Sequence, residues 1–392
     1  MEDVFILGGC RTPIGSFAGS LSSLSGPQLG SIAVREAVAR VGIEGAEVDE
    51  VILGCVLQGG LGQAPARQAA IGAGLPNSIP ALTINKVCGS GMKAAMLAAQ
   101  AIKLGDSRVV LAGGFESMSN APYFLDKARS GYRMGNGTIT DMMIHDGLWD
   151  PYNNCHMGNC GDATSAEFSF SREDLDKFAG ESYKRATAAQ AAGKFNDEIV
   201  SVSIPQRKGD PVLVSSDEEP GKGDPAKFAS LRPAFSKEGV TTAANASSIN
   251  DGACAMILSS ASFADQKGLK PLGRVVGYST HAQAPEWFTT APAFAIEKLL
   301  ESSGLSVGDV DLFEVNEAFA VVAMVVAQKV GISYDKLNVN GGAVALGHPI
   351  GMTGARLILT ALYELRRRGG KYAICTPCIG GGEATAILVE AL

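Results

Sequence analysis

The stretch NKVCGSGMKAAMLAAQAIKLG, residues 85–105, places one cysteine among glycines where a helical pattern begins. The preceding ALTIN is a short apolar run that predicts a buried strand. From about Ser90 the polar residues fall at helical spacing on one narrow stripe: Lys93, Gln100 and Lys103. The helix is therefore expected to be buried on nearly all sides and to end at Gly105, with Cys88 at a strand-to-helix turn.

Two interpretations of Cys88 stay open from this stretch alone. At the turn, free backbone N–H groups and the positive end of the helix dipole would stabilise a thiolate and lower the thiol pKa, as a nucleophile requires. Gly89 and Gly91 would let other backbone segments come close to the sulfur. Alternatively, Cys88 is a small apolar core residue, as buried cysteines usually are.

The composition predicts a globular protein of two or three packed units. The chain has 392 residues, 46% of them hydrophobic and 19% charged. No apolar run is long enough to span a bilayer, and VFILGG near the start predicts a strand with no basic or Arg-rich leader before it, so we expect a cytoplasmic protein without membrane contact. Eight cysteines without a signal peptide fit a reducing compartment.

The charge pattern argues against nucleic acid as a partner. The formal net charge is −7, and the one basic cluster, residues 366–368, is more simply the C-terminal end of a helix.

The two ends of the sequence resemble each other at an offset of about 260 residues, which indicates an internal repeat. VDEVILGCV (48–56) matches VGDVDLFEV (307–315), and each is followed by a strand, a glycine turn and a helix: LTINKVCGSGMKAAMLAAQAI and LNVNGGAVALGHPIGMTGARLILTAL. We therefore expect two similar α/β units, each with a mostly parallel sheet covered by helices. On a pseudo-twofold axis, Cys88 would lie near the turns that carry His348 and Cys378.

The middle of the chain, 120–245, breaks this pattern and is interpreted as an insertion that covers the site. Its clearest element is the helix SREDLDKFAGESYKRATAAQAAG, with Ser171 and Asp174 as a capping pair and Gly193 at its end. The rest is predicted to be rich in loops, which commonly carry substrate recognition.

Other chemistry is conceivable for single motifs. Cys375 and Cys378 could form half of a zinc site, but the only further ligands, Cys155, His156 and Cys160, match no common finger spacing. A redox CxxC would begin a helix, whereas glycines and then another strand follow here. No metal is therefore expected.

Taken together and in order, the motifs resemble the thiolase family across essentially the whole chain. They are GGCRTPIGSFAGSL, NKVCGSGMKA, AGGFESMSNAPY, LRPAF, NASSINDGA, EVNEAFA, NGGAVALGHPIGMTGAR and CIGGGEATA. The resemblance implies an α/β protein with the thiolase fold: two βαβαβαββ halves related by a pseudo-twofold axis, forming an α/β/α/β/α core with an inserted loop domain. The expected boundaries are 1–119 with 246–270 for the N-terminal half, 120–245 for the insertion, and 271–392 for the C-terminal half.

The resemblance also implies acyl transfer between coenzyme A thioesters, and CHMG makes the chain look most like the acetyl-CoA C-acetyltransferases. The substrates would be acetyl-CoA, acetoacetyl-CoA and CoA, with no other cofactor, and the assembly a homotetramer built as a dimer of dimers. A broader 3-ketoacyl-CoA thiolase is the nearest alternative. Of other classes, a non-catalytic acyl-CoA or lipid carrier would tend to lose the reactive residues that this chain keeps. A ketoacyl synthase would have a histidine where Asn316 stands.

The resemblance implies catalytic roles for five residues of this chain that match the family's motifs. Cys88 would form the acyl-enzyme, His348 would take its proton and later help hold the second substrate's thioester oxygen, and Cys378 would be the second acid/base. Asn316 would orient a water toward the enolate oxygen, while the backbone N–H groups of Cys88 and Gly380 would form the other oxyanion hole. The glycines of IGGG and CGSG are expected to allow close backbone approach.

Coenzyme A would be bound by a further set of residues: Ser247, His156, Met157, Phe235, Phe319 and Lys222. Two departures from the family pattern affect this region. NCGDATSAEF follows HMG where the family has a sequence like TTAEN, which predicts an altered helix start. The arginine that stacks near the adenine has no clear counterpart, and Lys222 is only nearby.

Overall fold

The structure is a computed structural model that describes residues 2–392. The strands are β1 (Val4–Arg11), β2 (Gly15–Ser16), β3 (Glu50–Gly54), β4 (Ala81–Ile84), β5 (Val109–Ser117), β6 (Tyr123–Phe124), β7 (Thr140–Asp141), β8 (Trp149–Asp150), β9 (Cys155–His156), β10 (Val202–Ile204), β11 (Val212–Val214), β12 (Asn250–Ser260), β13 (Gly273–Ala282), β14 (Leu312–Val315), β15 (Tyr372–Thr376), β16 (Cys378–Ile379) and β17 (Glu383–Ala391). The α-helices are α1 (Gly26–Val41), α2 (Pro65–Gly72), α3 (Ser90–Leu104), α4 (Met157–Glu167), α5 (Arg172–Ala191), α6 (Ala261–Lys267), α7 (Ala291–Ser303), α8 (Ala320–Val330), α9 (Ala343–Leu346) and α10 (Ile350–Arg368).

The large sheet confirms the internal repeat. Its order is β14-β15-β17-β13-β1-β12-β5-β3-β4, so the strands on one side of the β13/β1 junction mirror those on the other. The junction itself is short, with Phe5 opposite Arg274 and Ile6 opposite Gly273. The two halves therefore meet edge to edge along strands that begin each repeat.

The expectation of mostly parallel sheets is wrong. Only the outer pairs are parallel, β3 with β4, β3 with β5, and β14 with β15, whereas the neighbours of β12, β13 and β17 run antiparallel. Residues 377–382 between β15 and β17 are too few for the helical crossover that a parallel pair needs. The short glycine-rich link thus dictates antiparallel pairing.

Two further details of the sheet edges differ from the sequence-based prediction. The residues LNVN form no strand; a single parallel bridge joins Phe313 to Leu337 there. Strand β4 exists as predicted, but it is an edge strand with Leu82 43% exposed, not a buried one. An edge strand pairs with a neighbouring strand along one side only, here β4 with β3. A local apolar pattern does not reveal whether a strand lies at the edge of a sheet.

Helices lie on both faces of each half-sheet and confirm the α/β/α/β/α layering. Along β5, Val110 and Ala112 pack with α3 and α10, while Val109 and Leu111 on the other face pack with α1. Side chains along β17 alternate in the same way. Those on one face pack with α3 and α10, and those on the other face pack with α7 and α8. Helices α3 and α10 therefore form the central layer between the halves.

The central helices approach each other closely at glycines. A Cβ added to Gly91 would lie 2.9 Å from the backbone N of Ala355, and one added to Gly354 would lie 2.6 Å from the backbone N of Met92. Both distances are shorter than real Cβ contacts, so glycine is required on both helices. This packing sets the positions of the turns that precede α3 and α10.

The insertion contains the predicted helix and is fixed to β1 by buried charges. Helix α5 begins after Ser171, whose side chain and that of Asp174 form the expected capping box, and Gly193 has a left-handed φ of 69° just beyond the end. The fully buried Arg11 guanidinium binds Glu198 at 2.6 Å and Asp217 at 2.7 Å, and both carboxylates belong to the insertion. Such a buried network is costly to break because it leaves an uncompensated charge.

Within residues 2–392, none of the helices combines the length and the apolar character that crossing a membrane requires.

Replacing Gly354 with alanine should lower the free energy of unfolding by about 1–3 kcal/mol, because the new methyl group meets fixed backbone of α3. Gly180, in the middle of α5, is the matched control, since its added Cβ meets only Pro225 at 3.8 Å. Gly180→Ala should raise stability by about 0.5–1 kcal/mol. Urea unfolding of both variants tests this, and equal stabilisation by the two substitutions would contradict the close-packing argument.

Candidate active site

A cavity of about 220 Å³ opens where the turns before α3 and α10 meet the insertion. Cys88 and His348 lie in its wall, together with Gly380 from the link between β16 and β17. The fold thus brings together three of the positions that the sequence singled out, from both halves of the repeat.

The turn that carries Cys88 is strained and well held. Val87 has φ of 46°, which a β-branched residue rarely adopts. Its backbone N–H donates to Asn85 Oδ1 at 2.9 Å, and Ser90 Oγ accepts from the Lys86 N–H at 2.8 Å. These bonds hold the backbone in a conformation that costs about 1–3 kcal/mol and presents Cys88 to the cavity.

The Cys88 thiol is protonated at rest, contrary to the expectation of a low pKa. Burial raises the pKa of Cys88 to about 12, which outweighs the opposing effect of the Gly380 and Cys88 backbone N–H groups that face the sulfur. The negative charge of Glu116 acts in the same direction as burial. Local helix geometry was visible in the sequence, but desolvation depends on what covers the turn.

His348 is held in one tautomer by Thr353. The Thr353 hydroxyl donates to the Pro349 carbonyl at 2.8 Å, so it accepts from His348 Nδ1 at 2.6 Å. Nδ1 therefore carries the proton, and Nε2 presents a lone pair, which accepts from Asn316 Nδ2 at 3.3 Å. Burial, followed by the charge of Arg356, lowers the pKa of His348 to about 3, so the ring is neutral at rest.

Asn316 is completely buried beside His348. Its backbone N–H donates to the Thr376 carbonyl at 3.0 Å, which fixes the residue against β15. Within the described residues, Asn316 Oδ1 has no hydrogen-bond partner. A buried acceptor of this kind is suited to hold a water molecule or a substrate group.

Cys378 and Gly380 come from the short segment after β15. Cys378 is fully buried, and burial together with the nearby Cys88 raises the pKa of its thiol well above the usual value. A Cβ on Gly380 would meet the end of the flexible Met157 side chain at 3.2 Å and Val87 Cγ1 at 3.8 Å. The indispensable glycine is Gly382, with φ of 86° and the Gln283 carbonyl 2.2 Å from an added Cβ.

Glu116 joins the two halves behind the catalytic turn. One of its carboxylate oxygens accepts from the N–H groups of Val56 at 3.0 Å and Gly351 at 2.9 Å, and the other from Leu57 at 3.0 Å. Gly351 belongs to the first turn of α10. The carboxylate thereby fixes the turn after β3 to the segment that follows His348.

Five of the six residues predicted for coenzyme A line the cavity: Ser247, His156, Met157, Phe235 and Phe319. The rings of His156 and Phe235 stack at 4.5 Å, and Phe235 meets Phe319 edge-on at 6.0 Å. Lys222 lies elsewhere, with Nζ bonded to the Ser16 hydroxyl and 3.8 Å from Glu219. The structure does not bring Lys222 to this cavity, and a contact with the nucleotide outside it stays a prediction.

The altered sequence after HMG still begins a helix. Helix α4 begins at Met157, and His156 caps it by accepting the Gly158 N–H on Nδ1 at 3.2 Å. The helix start that the sequence NCGDATSAEF accompanies is thus well capped, and its difference from other thiolases stays a prediction.

Comparisons with known proteins agree with this arrangement along the whole chain. The model of the thiolase N-terminal domain matches residues 4–262, and that of the thiolase C-terminal domain matches residues 269–391. The chain belongs to the thiolase family.

Similar thiolases are known from several kingdoms. Acetyl-CoA acetyltransferase 2 of Arabidopsis thaliana is 52% identical over 100% of this chain and 98% of its own length. The acetyl-CoA acetyltransferase of Cupriavidus necator is 48% identical, with 100% of both chains covered. A crystal structure of the Bacillus anthracis acetyl-CoA acetyltransferase has a TM-score of 0.98 at 42% identity, covering 100% of this chain and 99% of that one.

Several residues of this thiolase's site escaped the sequence analysis. Thr353 lies in GHPIGMTGAR, five residues after His348. A hydroxyl about one helical turn beyond a candidate base can hydrogen-bond to that base, and this spacing was the available signal. Phe288 and Leu148 line the cavity without any motif to mark them. Leu148 ends a π-helical turn, Met143–Leu148, a form that is frequent at functional sites.

Thr353→Val should lower kcat at least about tenfold with little change in KM, because the imidazole loses the partner that fixes its tautomer. Thr353→Ser keeps the hydroxyl and should restore most of the rate. Steady-state kinetics of both variants separate this positioning role from packing, since valine preserves the shape. Unchanged kcat in the valine variant would contradict it.

Alkylation of Cys88 by iodoacetamide should become about tenfold faster with each pH unit from 7 to 9, because the thiolate fraction rises that steeply below a pKa of about 12. Mass spectrometry of the peptide spanning residues 85–93 measures the rate. A cysteine tripeptide, whose thiol pKa is about 8.5, is the control and should level off near pH 9. A plateau for Cys88 below pH 8 would mean that the turn stabilises a resting thiolate after all.

Proposed function

We propose that this thiolase is an acetyl-CoA C-acetyltransferase that forms acetoacetyl-CoA and CoA from two acetyl-CoA molecules, or runs the reverse thiolysis. The observation that carries the proposal is the position of Cys88, whose sulfur faces the N–H groups of Gly380 and Cys88 in a cavity shared with His348. Relatives named acetyl-CoA acetyltransferase, at about half identity over the full chain, support this substrate.

In the first half-reaction, Cys88 attacks the thioester carbonyl while its proton passes to His348 Nε2, the unprotonated nitrogen of the ring. The N–H groups of Cys88 and Gly380 receive the oxyanion. Coenzyme A leaves with the proton of Cys378. The acyl-enzyme then faces an imidazolium and a thiolate, which stabilise each other because their charges are opposite.

In the second half-reaction, the Cys378 thiolate takes a proton from the methyl group of the second acetyl-CoA. The enolate oxygen is stabilised by the proton now on His348 Nε2 and by a water held by Asn316, whose Oδ1 supplies a buried acceptor. The enolate carbon attacks the acyl group, and Cys88 leaves and recovers its proton from His348. All protons are thereby returned, and the proposed cycle needs no metal and no cofactor beyond the thioester substrates.

The pantetheine arm would lie along the cavity lined by Ser247, His156, Met157, Phe235 and Phe319. This channel is lined mainly by apolar side chains, which suits a partly apolar chain.

We also propose a homotetramer, a dimer of dimers, in the cytoplasm. Segment 121–141 of the insertion exposes apolar side chains, with Met134 at 98% and Ile139 at 64%, as a surface for another subunit would. The eight cysteines are all free thiols, as a reducing compartment maintains them.

The purified protein should cleave acetoacetyl-CoA with CoA, and faster than a longer 3-ketoacyl-CoA. Incubation with acetyl-CoA should add one acetyl group to the peptide of residues 85–93, and Cys88→Ala should abolish both labelling and turnover. Cys378→Ala should keep the label but lose exchange of the acetyl α-hydrogens with solvent. Labelling of Cys378 instead of Cys88, or exchange at the wild-type rate in Cys378→Ala, would overturn the assigned roles.

A further inference from the structure

A group of side chains of metal-ligating types lies beside the cavity. None of them belongs to the proposed catalytic residues. Asp150 and Cys155 are paired opposite each other in the hairpin of β8 and β9, and Cys160 follows in the first turns of α4. Their ligand atoms, a carboxylate oxygen and two thiol sulfurs, all lie within 4.8 Å of one another.

The carboxylate of this cluster is fixed in place. Asp150 is completely buried, and its Oδ1 accepts from the N–H groups of Tyr152 at 2.8 Å and Asn153 at 3.3 Å. Its Oδ2 accepts from Asn153 Nδ2 at 2.8 Å. A carboxylate has about four lone-pair sites, so these bonds orient it and leave capacity for another partner.

The surroundings of the cluster are negative. The Asp150 carboxylate belongs to the cluster, and the Glu286 carboxylate lies beside it, accepting from Asn153 Nδ2 at 3.5 Å. Each of these neighbours is an acid, so they oppose another negative charge and would be stabilised by a cation. The paired sulfurs make a soft cation the better match than calcium or magnesium, which prefer oxygen ligands.

We propose that Asp150, Cys155 and Cys160 form a binding site for Zn²⁺. In a tetrahedral site, Zn–S bonds of about 2.3 Å put two sulfurs roughly 3.8 Å apart, so side-chain adjustments of about 1 Å complete the site. The two thiols release their protons to solvent as the ion binds. Three protein ligands leave the fourth position to water.

Zinc at this site would connect three elements that border the coenzyme A channel. The ligands flank His156 and Met157, which line the cavity, but His156 itself is no ligand because its Nδ1 caps α4 and its ring stacks on Phe235. The ion would hold the hairpin of β8 and β9 to α4. It would therefore stiffen the wall of the channel without touching Cys88.

The site is tested in the Cys88→Ala/Cys378→Ala protein, which removes the other pair of thiols near the cavity. Zinc alone, measured by competition with a chromophoric chelator, should bind at one equivalent, and Co²⁺ should give a sulfur-to-cobalt charge-transfer absorption. Adding Cys160→Ser or the half-buried Cys155→Ser should abolish the absorption and weaken zinc binding at least about a hundredfold. Zinc should also raise the melting temperature of the Cys88→Ala/Cys378→Ala protein. It should not raise that of the variants that lack the Cys155 or the Cys160 thiol.

Cys10→Ser is the matched control, because Cys10 is buried in β1 and a serine hydroxyl can keep its bond to the Ala33 carbonyl. It should leave zinc binding unchanged. Equal binding in the Cys160→Ser and Cys155→Ser proteins, or no binding in the Cys88→Ala/Cys378→Ala protein, would overturn the proposal. Because these measurements use a protein without the candidate catalytic thiols, they are independent of the proposed acetyltransferase activity.

Discussion

The close contact between helices α3 and α10 determines where everything reactive in this protein lies. Each helix presents a glycine to the backbone of the other, Gly91 toward Ala355 and Gly354 toward Met92, so the axes approach more closely than side chains would permit. The segments that enter these helices carry Cys88 and His348. A wider crossing would separate the sulfur from the ring, because each is fixed to its helix by a short, strongly hydrogen-bonded turn.

Burial governs the chemistry of the site more than the helix ends do. It raises the pKa of both candidate catalytic thiols and lowers that of His348, so the resting site holds no charge on these three groups. A neutral site favours entry of an uncharged thioester. Charges appear only as the reaction proceeds, and then as an opposite pair within a dry space, where their attraction is strong.

The sequence predicted the repeat, the turn of Cys88, the capped helix after Ser171 and the layered fold, because these depend on local patterns and on motifs of contiguous residues. Resemblance to the family also named eight residues that line the cavity, three with catalytic roles and five for coenzyme A. The sequence-based prediction failed where distance in the chain decides the outcome. The high pKa of Cys88 and the exposed edge at Leu82 depend on neighbours that no local pattern encodes. The antiparallel pairing of β15 with β17, by contrast, follows from the short link between the two strands, and the sequence shows the length of that link. Thr353 was quoted but overlooked, because its importance lies in the one bond it accepts from His348.

The strand β12 lies between β1 and β5, although more than a hundred residues separate it from β5 along the chain. Asp251 pairs with Ser117, so both ends of the inserted segment leave the sheet at adjacent positions. During synthesis, β1 and β5 emerge from the ribosome with a gap between them, and the N-terminal half completes its sheet only after residue 260 has been made. Such a non-local pairing slows folding and exposes strand edges to aggregation in the meantime. Once formed, the same arrangement lets the segment between β5 and β12 change in length during evolution without displacing the sheet beneath it.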